Sequence, residues 1–191
     1  MPHRVNERDN FIGGWYTERL DICSSLIGLF WDSSEEHKAG LMSRGLDPAI
    51  KESTELSCDQ QPKVIEYFNE ILVPTVKLYL EKYPMCGYYS SWGLALPANL
   101  QYYKPGQAYH GWHTERFAAS EPAGRRHLAW MTYLNTIHDE GETEFYHQGV
   151  KVKPEIGLTL IWGVDWTFTH RGVPSPTAHK YIITGWFNFI D

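Results

Sequence analysis

The sequence predicts an α+β fold with helices in the first half and a β-rich second half. Amphipathic periodicity at three- and four-residue steps is confined to about residues 1–90. From about Leu94 onward come short runs rich in Tyr, Trp, Thr, Ile and Val, punctuated by Gly, Pro, Asn and Asp. No internal repeat or low-complexity segment divides the chain, so residues 1–191 read as one domain: a helical buttress over about 1–90 against a sandwich or barrel over about 91–191.

Between Tyr16 and about Trp31, Leu20, Cys23, Ile27 and Phe30 recur on one face with Glu18, Arg19 and Asp21 between them, which predicts a packing helix. A second helix is predicted from Pro62, a favoured first-turn residue, through Val64, Ile65, Phe68, Ile71 and Leu72. Pro74 lacks an amide N–H and should kink or restart it before Leu78 and Leu80.

The net charge of −6, with no run of Lys or Arg, argues against a nucleic-acid partner, whose phosphates the average field would repel. Cys23, Cys58 and Cys86 are odd in number and widely spaced, as expected of small buried thiols in a reducing compartment. The opening "MPHRVNERDN" is polar where a signal peptide needs an apolar core, and no apolar run reaches membrane-spanning length. A soluble, cytoplasmic protein without a membrane partner is expected.

Chemistry is suggested by "AYHGWHTERF", Ala108 to Phe117. In an extended segment residues i and i+2 point the same way, so His113 and Glu115 can converge on one metal ion. His138-Asp139-Glu140 has the same spacing, but it falls in the turn-rich "NTIHDEGE" and reads as a solvated loop. Downstream, His170 precedes a Gly-Val-Pro-Ser-Pro turn at a strand end, where a third ligand can arrive from a neighbouring strand. Ten residues later Lys180 opens "KYIITGWF", with Lys180, Ile182, Thr184 and Trp186 on one face and Tyr181, Ile183 and Phe187 on the other. A lysine at the head of an inward-facing row needs an anion, because burying an unpaired ammonium costs several kcal/mol. An edge lysine whose stem snorkels to water is the plainer alternative.

These parts, in this order, resemble the prolyl 4-hydroxylase-like branch of the Fe(II)- and 2-oxoglutarate-dependent dioxygenases, small stand-alone forms of bacterial or viral type. "LQYYKPGQAY", "HTE", "RRHLAWMTYLN", "GETEF", "GLTLIW", "HRGVPS" and "KYIITGWF" are similar to successive family segments between about Leu100 and Phe189. The resemblance implies a double-stranded β-helix, or jelly roll, with His113, Glu115 and His170 binding Fe(II). It further implies that Lys180, helped by Tyr133, pairs with the distal carboxylate of 2-oxoglutarate, with Tyr103 and Trp186 lining the pocket. Fe(II) as cofactor, 2-oxoglutarate and O2 as co-substrates and ascorbate as reductant follow from the same resemblance. So does the reaction, which couples decarboxylation of 2-oxoglutarate to hydroxylation of a peptidyl proline. Glu115 departs from the family's usual aspartate by one methylene. Tyr109 stands one residue farther from its histidine than in related enzymes and is left outside the site; His110 is left outside because the strand reading gives Glu115 to His113 as its same-face partner.

Three other readings compete. A free amino acid or small metabolite can replace the peptide as substrate. A zinc hydrolase can use two His and one Glu, but it leaves Lys180 without a role. A jelly-roll binding module would use its aromatics for stacking and have no need of Lys180 either.

Overall fold

The computed structural model describes residues 10–40, 45 and 47–190. Among the described residues ten strands form two sheets. The larger has the order β1-β8-β5-β10-β4-β3-β2, built from β1 (Gly13–Tyr16), β2 (Lys38–Ala39), β3 (Thr54–Cys58), β4 (Trp92–Tyr103), β5 (Arg126–Tyr133), β8 (Leu158–Gly163) and β10 (Lys180–Phe189). The smaller has the order β7-β6-β9, from β6 (Thr143–Phe145), β7 (Val150–Val152) and β9 (His170–Gly172). Every strand pair is antiparallel, and the arrangement is a jelly roll with helices on the outer face of the larger sheet.

Burial on both faces explains why β5 and β8 read as nearly continuous apolar runs rather than alternating ones. Leu128 and Trp130 pack outward against the helices, whereas Ala129, Met131 and Tyr133 pack inward toward the small sheet. The outer core joins α1 (Leu20–Asp32) through Ile22, Cys23, Leu26 and Phe30 to Leu100, Trp130, Ile161 and Ile183. The hydrogen bond Tyr67–Thr132 (2.6 Å) crosses from helix to sheet inside this otherwise apolar layer, and Thr132–Thr159 (2.6 Å) continues it between β5 and β8. Cys23 and Cys58 are buried free thiols, and Cys86 is half-buried.

The first helix begins at Leu20 rather than Tyr16, because residues 13–16 are a strand. Trp15 packs into the outer core and Tyr16 against the inner one, the opposite-face placement that a strand gives to neighbours. The first 90 residues therefore supply β1, β2 and β3 to the larger sheet as well as helices. The second helical stretch runs from α2 (Pro62–Tyr67) through a π-helical turn (Phe68–Leu72) into α3 (Val73–Lys82). The wider turn absorbs the irregularity and leaves Pro74 in the first turn of α3, where a missing N–H disturbs nothing. Among the described residues no helix is long and apolar enough to cross a membrane.

On β10 the predicted alternation holds: Lys180, Ile182, Thr184 and Trp186 all face the inner cavity. It survives a register shift against β4, where Thr184 pairs with Asn99 but Trp186 with Ala95, because the extra residues lie on β4. Gly185 pairs with Trp130, and a Cβ there would lie 2.6 Å from the indole, so the close approach requires glycine.

Candidate active site

His113 does not lie in a regular strand. It forms a lone antiparallel bridge with His170, the first residue of β9, by exchanging both backbone hydrogen bonds at 3.0 and 2.9 Å. Directly opposed residues project to the same side, which sets the two imidazole centroids 4.3 Å apart. Two residues on, Glu115 joins them, and one ligand atom from each of the three lies within 4.8 Å of the others. Thr114 Oγ1 donates to Val164 O (2.6 Å), and the Arg126 guanidinium donates to Glu115 O (2.6 Å); together they hold this short segment in place.

Each histidine donates its Nδ1–H to a backbone carbonyl two residues earlier, Gly111 O for His113 and Phe168 O for His170, both at 2.9 Å. That fixes the tautomer and leaves each Nε2 lone pair toward the carboxylate, the outer support that metal-bound imidazoles require. Burial, reinforced by the nearby His170, pulls the His113 pKa down to about 3, so the ring is a neutral ligand at physiological pH. Burial alone would push the Glu115 carboxyl up; its contacts with the two histidines and the nearby Arg126 cation outweigh it and hold the group at about 2. Two imidazoles and one carboxylate on one side of a shared point suit Fe(II) with open positions on the other side.

The open side faces a cavity of about 950 Å³. On its floor Lys180, 7% exposed, donates to Gly141 O at 2.7 Å. Burial pulls its pKa down to about 8, offset only in part by the charge of Glu142, and among the described residues the ammonium forms no ion pair. Tyr103 lines the same cavity and donates its hydroxyl to Gln101 Oε1 at 2.7 Å. Trp186 also lines it, and its indole N–H donates to Glu115 Oε2 at 2.7 Å. Tyr133 is fully buried behind the wall, its ring 5.5 Å from Lys180 Nζ and its hydroxyl donated to Thr143 Oγ1 at 2.6 Å. The structure thus brings His113, Glu115, His170, Lys180, Tyr103 and Trp186 to one cavity, with Tyr133 beneath it.

Residues 98–188 match the 2OG-Fe(II) oxygenase superfamily. The segment that carries His113, Glu115, His170 and Lys180 is a 2OG-Fe(II) oxygenase domain. It is a 2-oxoglutarate-dependent dioxygenase by class. The oxygenase's fold is similar to that of a Pseudomonas putida prolyl-4-hydroxylase, at 18% identity and a TM-score of 0.73 over 94% of each chain. It is similar also to the viral collagen prolyl hydroxylase of Paramecium Bursaria Chlorella virus-1, at 18% identity and a TM-score of 0.71, covering 95% of this chain and 98% of that one. A Trichoplax adhaerens prolyl hydroxylase solved with a hypoxia inducible factor peptide fragment matches at 16% identity and a TM-score of 0.73, over 95% and 84%. No curated protein sequence matches the chain.

Several cavity residues of the oxygenase are absent from the sequence-based set. Arg126 stacks on Trp186, 3.7 Å from the ring centroid, and approaches Glu115 Oε2 at 3.6 Å. Counted by alternation from Leu128 it belongs on the helix side. A bulge at His127 turns it inward, since Phe187 pairs with Leu128 and the next residue, Asn188, with Arg126. Tyr109, set aside on spacing, lies flat on His113 with centroids 3.6 Å apart and planes at 5°. Lys51 and Glu55 form a 2.6 Å ion pair in the cavity wall. No motif marks them, because the segment carrying them is irregular up to β3.

Proposed function

We propose that this oxygenase is a prolyl 4-hydroxylase-like enzyme that hydroxylates a peptidyl proline. The observation that carries the reading is a buried lysine, with no ion-pair partner among the described residues, in the same cavity as three convergent metal-type ligands. In it His113, Glu115 and His170 hold Fe(II), and the Lys180 ammonium pairs with the distal carboxylate of 2-oxoglutarate. Bound there, Fe(II) and 2-oxoglutarate supply the oxidising chemistry: with O2 they convert a substrate C–H to C–OH while 2-oxoglutarate becomes succinate and CO2.

The chain's own residues bind, orient and exclude water. Trp186 and Arg126 hold the Glu115 carboxylate by its second oxygen, and the Tyr109 ring covers one face of His113. Met131, Trp162 and Ile182 give the cavity apolar walls, and a less polar surround strengthens the attraction of Lys180 for an anion.

A peptide rather than a free amino acid is supported by the room available and by the rim. Pockets of roughly 300–1,000 Å³ hold drug-sized ligands, and 950 Å³ exceeds what 2-oxoglutarate and one amino acid fill. Ile50, Trp112 and Phe117 at the mouth are exposed apolar side chains suited to an extended chain leaving the cavity. The test is mass spectrometry of end-blocked proline peptides and of free amino acids, each incubated with Fe(II), 2-oxoglutarate and ascorbate in air. Gain of one oxygen atom on proline, matched by succinate, is expected. Gain only on free amino acids would reassign the substrate.

A further inference from the structure

The cavity contains a charged pair that neither the metal nor the co-substrate uses. Lys51 Nζ and Glu55 Oε1 are 2.6 Å apart, with side chains 7% and 13% exposed. Oε1 also accepts the Ser53 hydroxyl at 2.9 Å. Among the described residues, Glu55 Oε2 has no donor and the Lys51 ammonium has no second acceptor, its other neighbour being the Tyr109 ring at 5.3 Å. The pair is held rigidly relative to the metal segment. Glu52 N–H donates to Ala108 O (3.0 Å) and Gly111 N–H to Ile50 O (3.1 Å), while Glu55 stands opposite Gln101 on β4.

Buried ion pairs add little to stability compared with apolar side chains of similar size, so stability alone does not account for this one. Its electrostatics favour a particular kind of ligand. A lone anion attracted by Lys51 meets Glu55 one hydrogen bond away, and a lone cation meets the converse. Only a group that donates and accepts at neighbouring points satisfies both. The N–H and C=O of one extended peptide residue leave the chain on the same edge and meet that requirement. Proline has no N–H, so the residue so gripped is a neighbour of the one hydroxylated.

We propose that Lys51 and Glu55 clamp the main chain of the substrate, Glu55 accepting the N–H and Lys51 donating to the C=O of one extended, non-proline residue beside the target. The clamp rests on the peptide reading above and makes the pair a specificity determinant for the register in which a peptide enters.

The test uses end-blocked peptides with one central proline flanked by alanines, and versions in which each alanine in turn is replaced by lactate, which removes one N–H and keeps the methyl group. A single lactate position should raise the peptide KM about tenfold to a hundredfold, the worth of a hydrogen bond to a charged group. In the double variant Lys51→Met, Glu55→Leu the all-amide peptide should show a similar rise in KM and the lactate effect should vanish, with 2-oxoglutarate affinity within twofold of the parent. Hydroxylation with a flat lactate profile in the parent enzyme overturns the clamp and leaves the peptide reading standing, even where the double variant fails to fold. A lactate effect that persists in a folded double variant does the same. Hydroxylation of free amino acids alone, or of nothing in the set, overturns the peptide reading and the clamp with it.

Discussion

Lys180→Met should make the ligand-free enzyme more stable and nearly unable to bind 2-oxoglutarate. The ammonium is 7% exposed, and burial pulls its pKa from 10.5 down to about 8. At 1.36 kcal/mol per pKa unit, holding it charged without an anion costs about 3 kcal/mol. Methionine keeps the stem and removes that cost, but it leaves Gly141 O without its donor, a loss of about 1 kcal/mol. The net gain of about 2 kcal/mol corresponds to a rise in Tm of roughly 4–8 °C for a chain of this size. The advantage has a pH signature. Between about 8 and 10.5 the unfolded lysine binds more proton than the folded one, so the stability of the parent rises with pH through that window. The Tm difference should therefore be full below pH 8 and vanish toward 10.5. Binding of the 2-oxoglutarate dianion should weaken by about a hundredfold or more in the variant, and in the parent it should fall as pH rises above 8. Thermal melts of ligand-free protein and anaerobic calorimetry with 2-oxoglutarate measure both. A destabilised variant that still binds 2-oxoglutarate within threefold of the parent would refute the reasoning and make Lys180 a structural residue.

Tyr133→Phe should lower stability by about 1 kcal/mol, through loss of the hydroxyl donated to Thr143, and change 2-oxoglutarate affinity less than threefold; a large affinity loss would mean that the hydroxyl reaches the co-substrate. Trp186→Phe keeps a ring beneath Arg126 but removes the N–H donated to Glu115, and metal titration should report an affinity lower by about 10–100-fold. Gly185→Ala brings a methyl group 2.6 Å from Trp130 and should destabilise by about 1–3 kcal/mol in denaturant melts, with the metal affinity of the folded fraction unchanged.

Elements whose side chains keep strict periodicity were legible in the sequence. α1 and the inward row of β10 were visible in this way, Lys180 with them, because burial on one side writes a period into the chain, although α1 buries Ile22, Cys23, Leu26 and Phe30 and leaves the expected Leu20 exposed. β1 was missed because Gly13-Gly14-Trp15-Tyr16 is too short to display a period and abuts a helix. Arg126 was hidden by one inserted residue, His127, which reverses the face that alternation assigns. The His113–Glu115 spacing was readable, but not the bridge to His170 that aligns the two imidazoles, since that pairing joins residues distant in sequence. Lys51 and Glu55 were unreadable for the same reason: their meaning comes from a wall that Ala108–Gly111 and β4 complete.

The anaerobic visible spectrum tests the central claim most directly. Parent protein given Fe(II) and 2-oxoglutarate without O2 should develop the weak charge-transfer band of a metal-chelated keto acid. His170→Ala, which removes one of the three convergent ligands, should not develop it under the same conditions. No band in folded, metal-loaded parent, or an unchanged band in His170→Ala, would contradict the assignment of His113, Glu115 and His170 as the iron site.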